Sequence, residues 1–259
     1  MQTDRQSVLK TQWAYMRLAV MFYTRIPVGT IENYDQEVMN RTSRYFTLVG
    51  ALVGVLCAVV FSLASQFFPQ SLAVVLSTAF GVWLTGAFHE DGLADACDGL
   101  GGGWDKAKIL DIMKDSRIGT YGFVGLALTL TLKCLALSAL PAAWVVAALI
   151  AGHVASRWCA SLTMWCLSYV RLDETSKAKP ITKQFERQDF MLSSGIAAIV
   201  LFACLPLGAL PALLGMLPPG LYLAYKLKHW LGGYTGDGLG AIQQVTEVGF
   251  YLGLVVVLS

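Results

Sequence analysis

The chain has 259 residues, of which 56% are hydrophobic and 14% charged, with six cysteines and a net charge of +2. Soluble domains carry about a quarter charged residues, so this composition, with a mean hydropathy of +0.58, makes lipid the expected solvent for much of the chain. So small a net charge, with no basic run interleaved with aromatics, excludes a nucleic-acid binder. Cys57, Cys97, Cys134, Cys159, Cys166 and Cys204 form no C-x-x-C pair and mostly lie in apolar runs, where a thiol packs as a small hydrophobe.

Asp4, Arg5 and Lys10 precede Trp13 with no compact apolar core or small-residue cleavage site, so the N-terminus does not read as a signal peptide. Trp13 to Pro27 mixes Trp13, Met16, Leu18, Val20, Phe22 and Ile26 with Arg17 and Arg25. That suits a helix in the headgroup plane or a first element packed on the bundle, and residues 1–44 are expected to form an N-terminal interfacial segment.

Apolar stretches follow near Tyr45 to Phe68, Leu72 to Phe88, Tyr121 to Leu140, Ala142 to Tyr169, Phe190 to Leu205, Pro206 to Tyr225 and Leu239 to Leu258. Each is near the ~20 residues needed to cross a bilayer, predicting an all-α, polytopic integral membrane bundle of about seven transmembrane helices in one domain, 1–259. Pro206, Pro211, Pro218 and Pro219 interrupt the sixth stretch, where kinked or re-entrant structure is expected. Of the 19 Lys and Arg, 17 lie before the first stretch and in the loops after the second, fourth and sixth, the exceptions being Lys133 and Arg157. The positive-inside rule puts those segments, and the N-terminus, in the cytosol.

The second stretch runs into Phe88-His89-Glu90-Asp91-Gly92-Leu93-Ala94-Asp95-Ala96-Cys97-Asp98-Gly99. On a helix turning about 100° per residue, Asp91, Asp95 and Asp98 fall within about 60° of one another, whereas Glu90 lies off that face. Converging anions repel, and a divalent cation is the simplest compensation; oxygen donors without paired Cys or His favour Mg²⁺, Mn²⁺ or Ca²⁺ over zinc. A solvated acidic turn is the plainer alternative. Gly92, Ala94, Ala96 and Gly99 argue against it, because they leave room for close backbone or ligand approach at an interface.

After a break at Gly101-Gly102-Gly103, Asp105 is placed to cap a helix over Lys106 to Asp115, with Asp111 and Asp115 on one face as further metal candidates. Lys114 and Arg117 beside them suit phosphate, or else anchor the next span at the cytosolic surface. Residues 89–120 thus read as a cytosolic acidic catalytic loop. The glycines of Leu231 to Gly240 could expose N–H groups to phosphate, with Thr235 and Asp237 as side-chain partners. His89 could move a proton or close the end of the second span, and His153 and Arg157 must face protein or water.

Four runs carry a family resemblance: Phe22-Tyr23-Thr24-Arg25-Ile26-Pro27, the Phe88 to Gly99 run, Asp115-Ser116-Arg117-Ile118-Gly119-Thr120-Tyr121-Gly122 and Gly232-Gly233-Tyr234-Thr235-Gly236-Asp237. In order along the chain they resemble the cobalamin synthases, the adenosylcobinamide-GDP ribazoletransferases. The sequence departs from that pattern at Gly29, where the family's proline is expected after Arg25-Ile26-Pro27-Val28. The resemblance implies a Mg²⁺-dependent enzyme of the cytoplasmic (inner) membrane, multi-pass, with its active site facing the cytosol. Its substrates would be adenosylcobinamide-GDP and α-ribazole, or the 5′-phosphate of α-ribazole: the ribazole hydroxyl attacks phosphorus, GMP leaves, and adenosylcobalamin or its phosphate forms. A homo-oligomer is compatible with this reading.

The expected metal ligands are Asp91, Asp95, Asp98 and Asp111. Asp115, Asp98 and His89 are expected as catalytic groups, and Arg117, Lys114, Thr235, Asp237, Arg25 and Arg157 as substrate contacts. Asp95-Ala96-Cys97-Asp98-Gly99 and Asp111-Ile112-Met113-Lys114-Asp115 also echo the CDP-alcohol phosphotransferases, but Leu100-Gly101 replaces the Ala-Arg expected after the glycine. An ion-coupled transporter is the alternative from another class, although its site would be expected near the midplane.

Overall fold

The computed structural model describes residues 2–29, 40–171 and 185–259. The interfacial segment expected over residues 1–44 therefore lies partly outside the described residues, as do Lys177, Lys179 and Lys183. Among the described residues the chain is helical, apart from an isolated parallel bridge between Tyr169 and Tyr234. In chain order the helices are α1 (Gln2–Tyr23), α2 (Phe46–Ala64, entered through a 3-10 turn at Ser43–Tyr45), α3 (Gln70–Thr85), α4 (Phe88–Gly102) and α5 (Lys106–Ile112). They continue as α6 (Thr120–Ala139), α7 (Ala142–Cys166), α8 (Arg187–Cys204), a 3-10 stretch (Leu207–Met216), α9 (Leu217–Leu231) and α10 (Gly236–Leu258).

Among the described residues, six helical segments are long and apolar enough to cross a membrane, and a seventh if α3 and α4, bent by 88°, count as one. That bend is where the structure refines the expected second span. The 16 residues of α3 rise only about 24 Å, short of the ~30 Å hydrocarbon core. Gly86 (φ 68°) and Ala87 (φ 58°) then turn the chain through two successive left-handed residues. Holding alanine there costs about 1 kcal/mol. The backbone N–H of Arg25 donates to Leu84 O at 2.7 Å, and the Arg25 guanidinium lies against Gly86, bracing the turn. With Glu90, Asp91, Asp95 and Asp98 on it, α4 is too polar to cross lipid as a helix of its own.

The prolines of the sixth stretch act as their chemistry requires. Pro211 sits in the 3-10 stretch, and Pro218 and Pro219 open α9, where a missing N–H breaks no helical bond. Together Leu207–Leu231 is one 25-residue candidate span. Helix α1 packs on the bundle from Gln12 onward: the Tyr23 and Phe46 rings lie 4.5 Å apart, and Tyr45 OH donates to Gln12 Oε1 at 2.8 Å. Beyond it, Arg17 Nη2 donates to Val28 O at 2.6 Å, folding the chain back at Gly29. Gly29 has φ 78°, which proline, fixed near −65°, cannot adopt.

Helix α10 is central, packing against α4, α6, α7, α9 and the 3-10 stretch. Helices α2 and α7 meet through Gly50 and Gly54: a Cβ on Gly50 would sit 2.5 Å from His153 O, and one on Gly54 2.8 Å from the Ile150 Cα. Lipid offers no hydrophobic drive between helices, so such close backbone packing carries the association. Gly50→Ala is therefore expected to cost about 1–3 kcal/mol, as overpacking does. Gly195→Ala in α8, where an added Cβ meets nothing within 4 Å, is the control and should be neutral or slightly stabilising. Thermal unfolding of the two variants in the same detergent checks this.

Candidate active site

The acidic row does form on a helix, and its three carboxylates have different surroundings. Asp91 is exposed, Asp95 half-buried and Asp98 buried. Asp98 accepts the backbone N–H of Gly119 at 2.7 Å and of Gly122 at 2.8 Å, so both its oxygens serve the first turn of α6. An anion is favoured at that position by the helix dipole.

Helices α4 and α10 cross where neither bears a side chain. A Cβ on Gly92 would come within 3.0 Å of the Asp237 Cα and O, and Gly240 packs on His89 O. This crossing brings Asp237 beside α4. Burial first, then the charges of Asp237 and Asp91, hold the Asp95 carboxyl up to about 7, and Arg171 opposes them. Arg171 Nη2 lies 3.0 Å from Asp237 Oδ2. The cluster is thus Asp91, Asp95 and Asp237, with Arg171 as its counter-cation. Arg171 has no recognisable sequence signal, because it is brought in by the Tyr169–Tyr234 bridge.

The neighbouring loop differs from its expected form. Helix α4 continues through Gly101 and Gly102 rather than breaking, since the missing side chain of Gly101 leaves space for the Tyr121 ring. Asp105 caps α5 by accepting the N–H of Lys108 at 2.9 Å. That helix stops at Ile112, so Asp111 and Asp115 do not share a helical face. Asp115 turns instead to Arg117, taking Nη2 at 2.6 Å and the backbone N–H at 3.1 Å. The Arg117 guanidinium holds the Asp115 carboxyl down to about 2. Asp111, Lys114 and Arg117 are exposed. Thr235 is buried and caps α10, accepting the N–H of Gly238 at 3.0 Å. The N–H groups of Tyr234 and Leu239 are likewise taken within the protein, by Ser168 O and Thr235 O.

His89 and Arg157 belong to a second polar cluster, inside the bundle. They line a pocket with Glu90, Lys133, His153, Gln243, Gln244 and Glu247. Glu247 is its centre: Lys133 Nζ lies at 2.6 Å, Gln243 Nε2 at 2.5 Å and the Tyr251 hydroxyl at 2.8 Å. His153 Nδ1 is 3.6 Å from Glu247 and 3.0 Å from Arg157 Nη1. Glu90, off the acidic face, is buried and accepts from Gln244 Nε2 at 2.7 Å. Glu247 had a signal: a carboxylate within an apolar stretch demands a cation, and Lys133 and Arg157 were the cations inside spans.

Hard oxygen donors with no thiol beside them suit a small divalent cation. Among the described residues, no three His, Cys, Asp or Glu side chains converge on one ion as they are oriented. The carboxylate chemistry of Asp91, Asp95 and Asp237 fits such an ion.

The described residues thus form a polytopic helical bundle of the integral membrane class, with a carboxylate cluster where α4 meets α10. The chain belongs to the cobalamin-5-phosphate synthase family, whose model matches residues 15–255. It is 43% identical to the adenosylcobinamide-GDP ribazoletransferase of Shewanella woodyi, over 95% of this chain and 96% of that one. It is 46% identical to that of Shewanella frigidimarina, over 91% of each chain. With that of Vibrio parahaemolyticus the identity is 41%, over 98% and 96%. No solved structure matches. Family membership sets aside the transporter and lipid-enzyme alternatives.

Proposed function

We propose that this chain moves the phosphocobinamide group of adenosylcobinamide-GDP onto α-ribazole or its 5′-phosphate. The new bond joins the ribazole hydroxyl oxygen to phosphorus, the bond from that phosphorus to GMP breaks, and adenosylcobalamin or its 5′-phosphate forms. The observation that carries the site assignment is the close approach of α4, which bears Asp91 and Asp95, to Asp237 at the start of α10, beside Arg171. The excess of Lys and Arg on that side supports a cytosolic site in the inner membrane.

Asp91, Asp95 and Asp237 are the residues that would hold Mg²⁺. Bound there, it would supply charge neutralisation for the diphosphate. The chain's own part is positional. Asp98 fixes the start of α6 against α4, and Arg25 braces the α3–α4 bend from which α4 projects. Lys114 and Arg117 are exposed cations that would meet phosphate oxygens; Arg117 must release Asp115 to reach them, freeing that carboxylate to accept the hydroxyl proton.

Release of GMP by the purified protein in detergent, where no ion gradient exists, tests the reading. Chelation with EDTA is expected to lower the rate more than about a hundredfold, and added Mg²⁺, but not K⁺, to restore it. A rate indifferent to chelation would remove the metal from the proposal.

A further inference from the structure

Arg171 follows a bridge that pins it to the start of α10. Tyr234 N–H donates to Ser168 O at 2.9 Å and Val170 N–H to Tyr234 O at 3.0 Å. Gly233 is required there, because a Cβ would stand 2.0 Å from Ser168 O. The bridge delivers the guanidinium to Asp237, yet the pair is not built as a structural clamp. Although Arg171 Nη2 is 3.0 Å from Asp237 Oδ2, the angle makes no hydrogen bond, and Arg171 Nε and Nη2 and Asp237 Oδ2 are all buried without a hydrogen-bond partner. A guanidinium that serves a carboxylate for its own sake forks onto it, as Arg117 does onto Asp115. At Arg171 the charge is matched while the Nε and Nη2 donors remain unused. Unused donors on a partly exposed guanidinium suit an incoming oxyanion.

We propose that Arg171 is a positioning residue that stands in for the divalent cation among Asp237, Asp95 and Asp91, and gives up Asp237 when a diphosphate oxygen takes its N–H donors. This rests on the carboxylate cluster being the metal-holding site. Its consequence is an order of assembly: without the diphosphate, Arg171 competes with the cation for Asp237 and keeps the cluster weak for free metal. With it, the guanidinium is drawn away and the carboxylates become available. A plain tether between the 168–171 segment and α10 would have no such effect on ion affinity.

Mn²⁺ binding to the purified full chain in nanodiscs, read from the electron paramagnetic resonance of free Mn²⁺, separates these ideas. Arg171→Gln is expected to bind Mn²⁺ about tenfold more tightly than the parent when no substrate is present, because an internal cation has been removed. Its KM for adenosylcobinamide-GDP should rise about tenfold, so that metal and substrate affinities move in opposite directions. Arg171→Lys keeps the charge without the fork: its Mn²⁺ affinity should stay within about threefold of the parent while KM still rises. Arg171→Gln binding Mn²⁺ no more tightly than the parent, with Asp95→Asn abolishing binding, overturns the role of Arg171 and leaves the metal site standing. Failure of the parent and Arg171→Gln alike to bind Mn²⁺ at millimolar concentration overturns both.

Discussion

Asp95→Asn is expected to lower GMP release about a thousandfold while the protein still inserts and folds. The substitution keeps size and removes the charge that a divalent cation and its diphosphate would use. It should also make the metal-free protein more stable. Burial and the charges of Asp237 and Asp91 raise the Asp95 carboxyl from 3.8 to about 7, so its ionised form is disfavoured by folding. For an acid raised in this way, stability falls as pH climbs from 3.8 towards 7 and stays low above it. The advantage of the asparagine variant should therefore be full above pH 7 and absent below about pH 4. Half-exposure and solvent screening limit it to about 1 kcal/mol.

Asp98→Asn provides the contrast. Asp98 accepts two backbone N–H groups at the start of α6, and an amide presents one oxygen where two are used and sets an NH₂ against an N–H. Removing such charge-assisted bonds costs about 1–3 kcal/mol, so both turnover and thermal midpoint should fall. Paired rates and unfolding curves for the two variants separate a chemical role from a positional one. Near-normal turnover by Asp95→Asn would sink the assignment of the acidic cluster.

The largest loss of stability is expected at Glu247. Its carboxylate is fully buried and faces Lys133, His153, Gln243 and Tyr251 from α6, α7 and its own helix. Glu247→Gln leaves Lys133 and Arg157 uncompensated inside the bundle, at a cost of about 3–5 kcal/mol. Adding Lys133→Met removes the partner 2.6 Å away and should recover at least about half of that loss, since deleting a whole buried pair is far milder than breaking it. Denaturation of the single and double variants in one detergent is the measurement. A single variant within about 0.5 kcal/mol of the parent would show that the cluster does not hold the helices together.

Much of this architecture is legible in the sequence, because lipid demands it. A helix must satisfy its own backbone in hydrocarbon, so apolar runs of the right length announce the spans, and the prolines after Leu205 announce an irregular stretch there. The acidic row from Asp91 to Asp98 is legible because helical periodicity is local. The α3–α4 bend is not legible, since Gly86-Ala87 reads as an ordinary helix end and alanine gives no warning of a left-handed conformation. Nor is the halt of α5 at Ile112, where the Asp115–Arg117 pair competes with another helical turn.

By itself, then, the amino-acid sequence determined the membrane setting, the helical class, the family and the presence of a carboxylate row beside a span. These depend on composition, on spacing and on neighbours along the chain. Only the tertiary structure decided which carboxylates stand together: Asp237 joins Asp91 and Asp95, Asp98 turns to α6, and Arg171 closes the cluster. Those choices arise where helices cross at Gly92 and Gly240 and where Tyr169 meets Tyr234, contacts between segments far apart in the chain whose geometry no local pattern encodes.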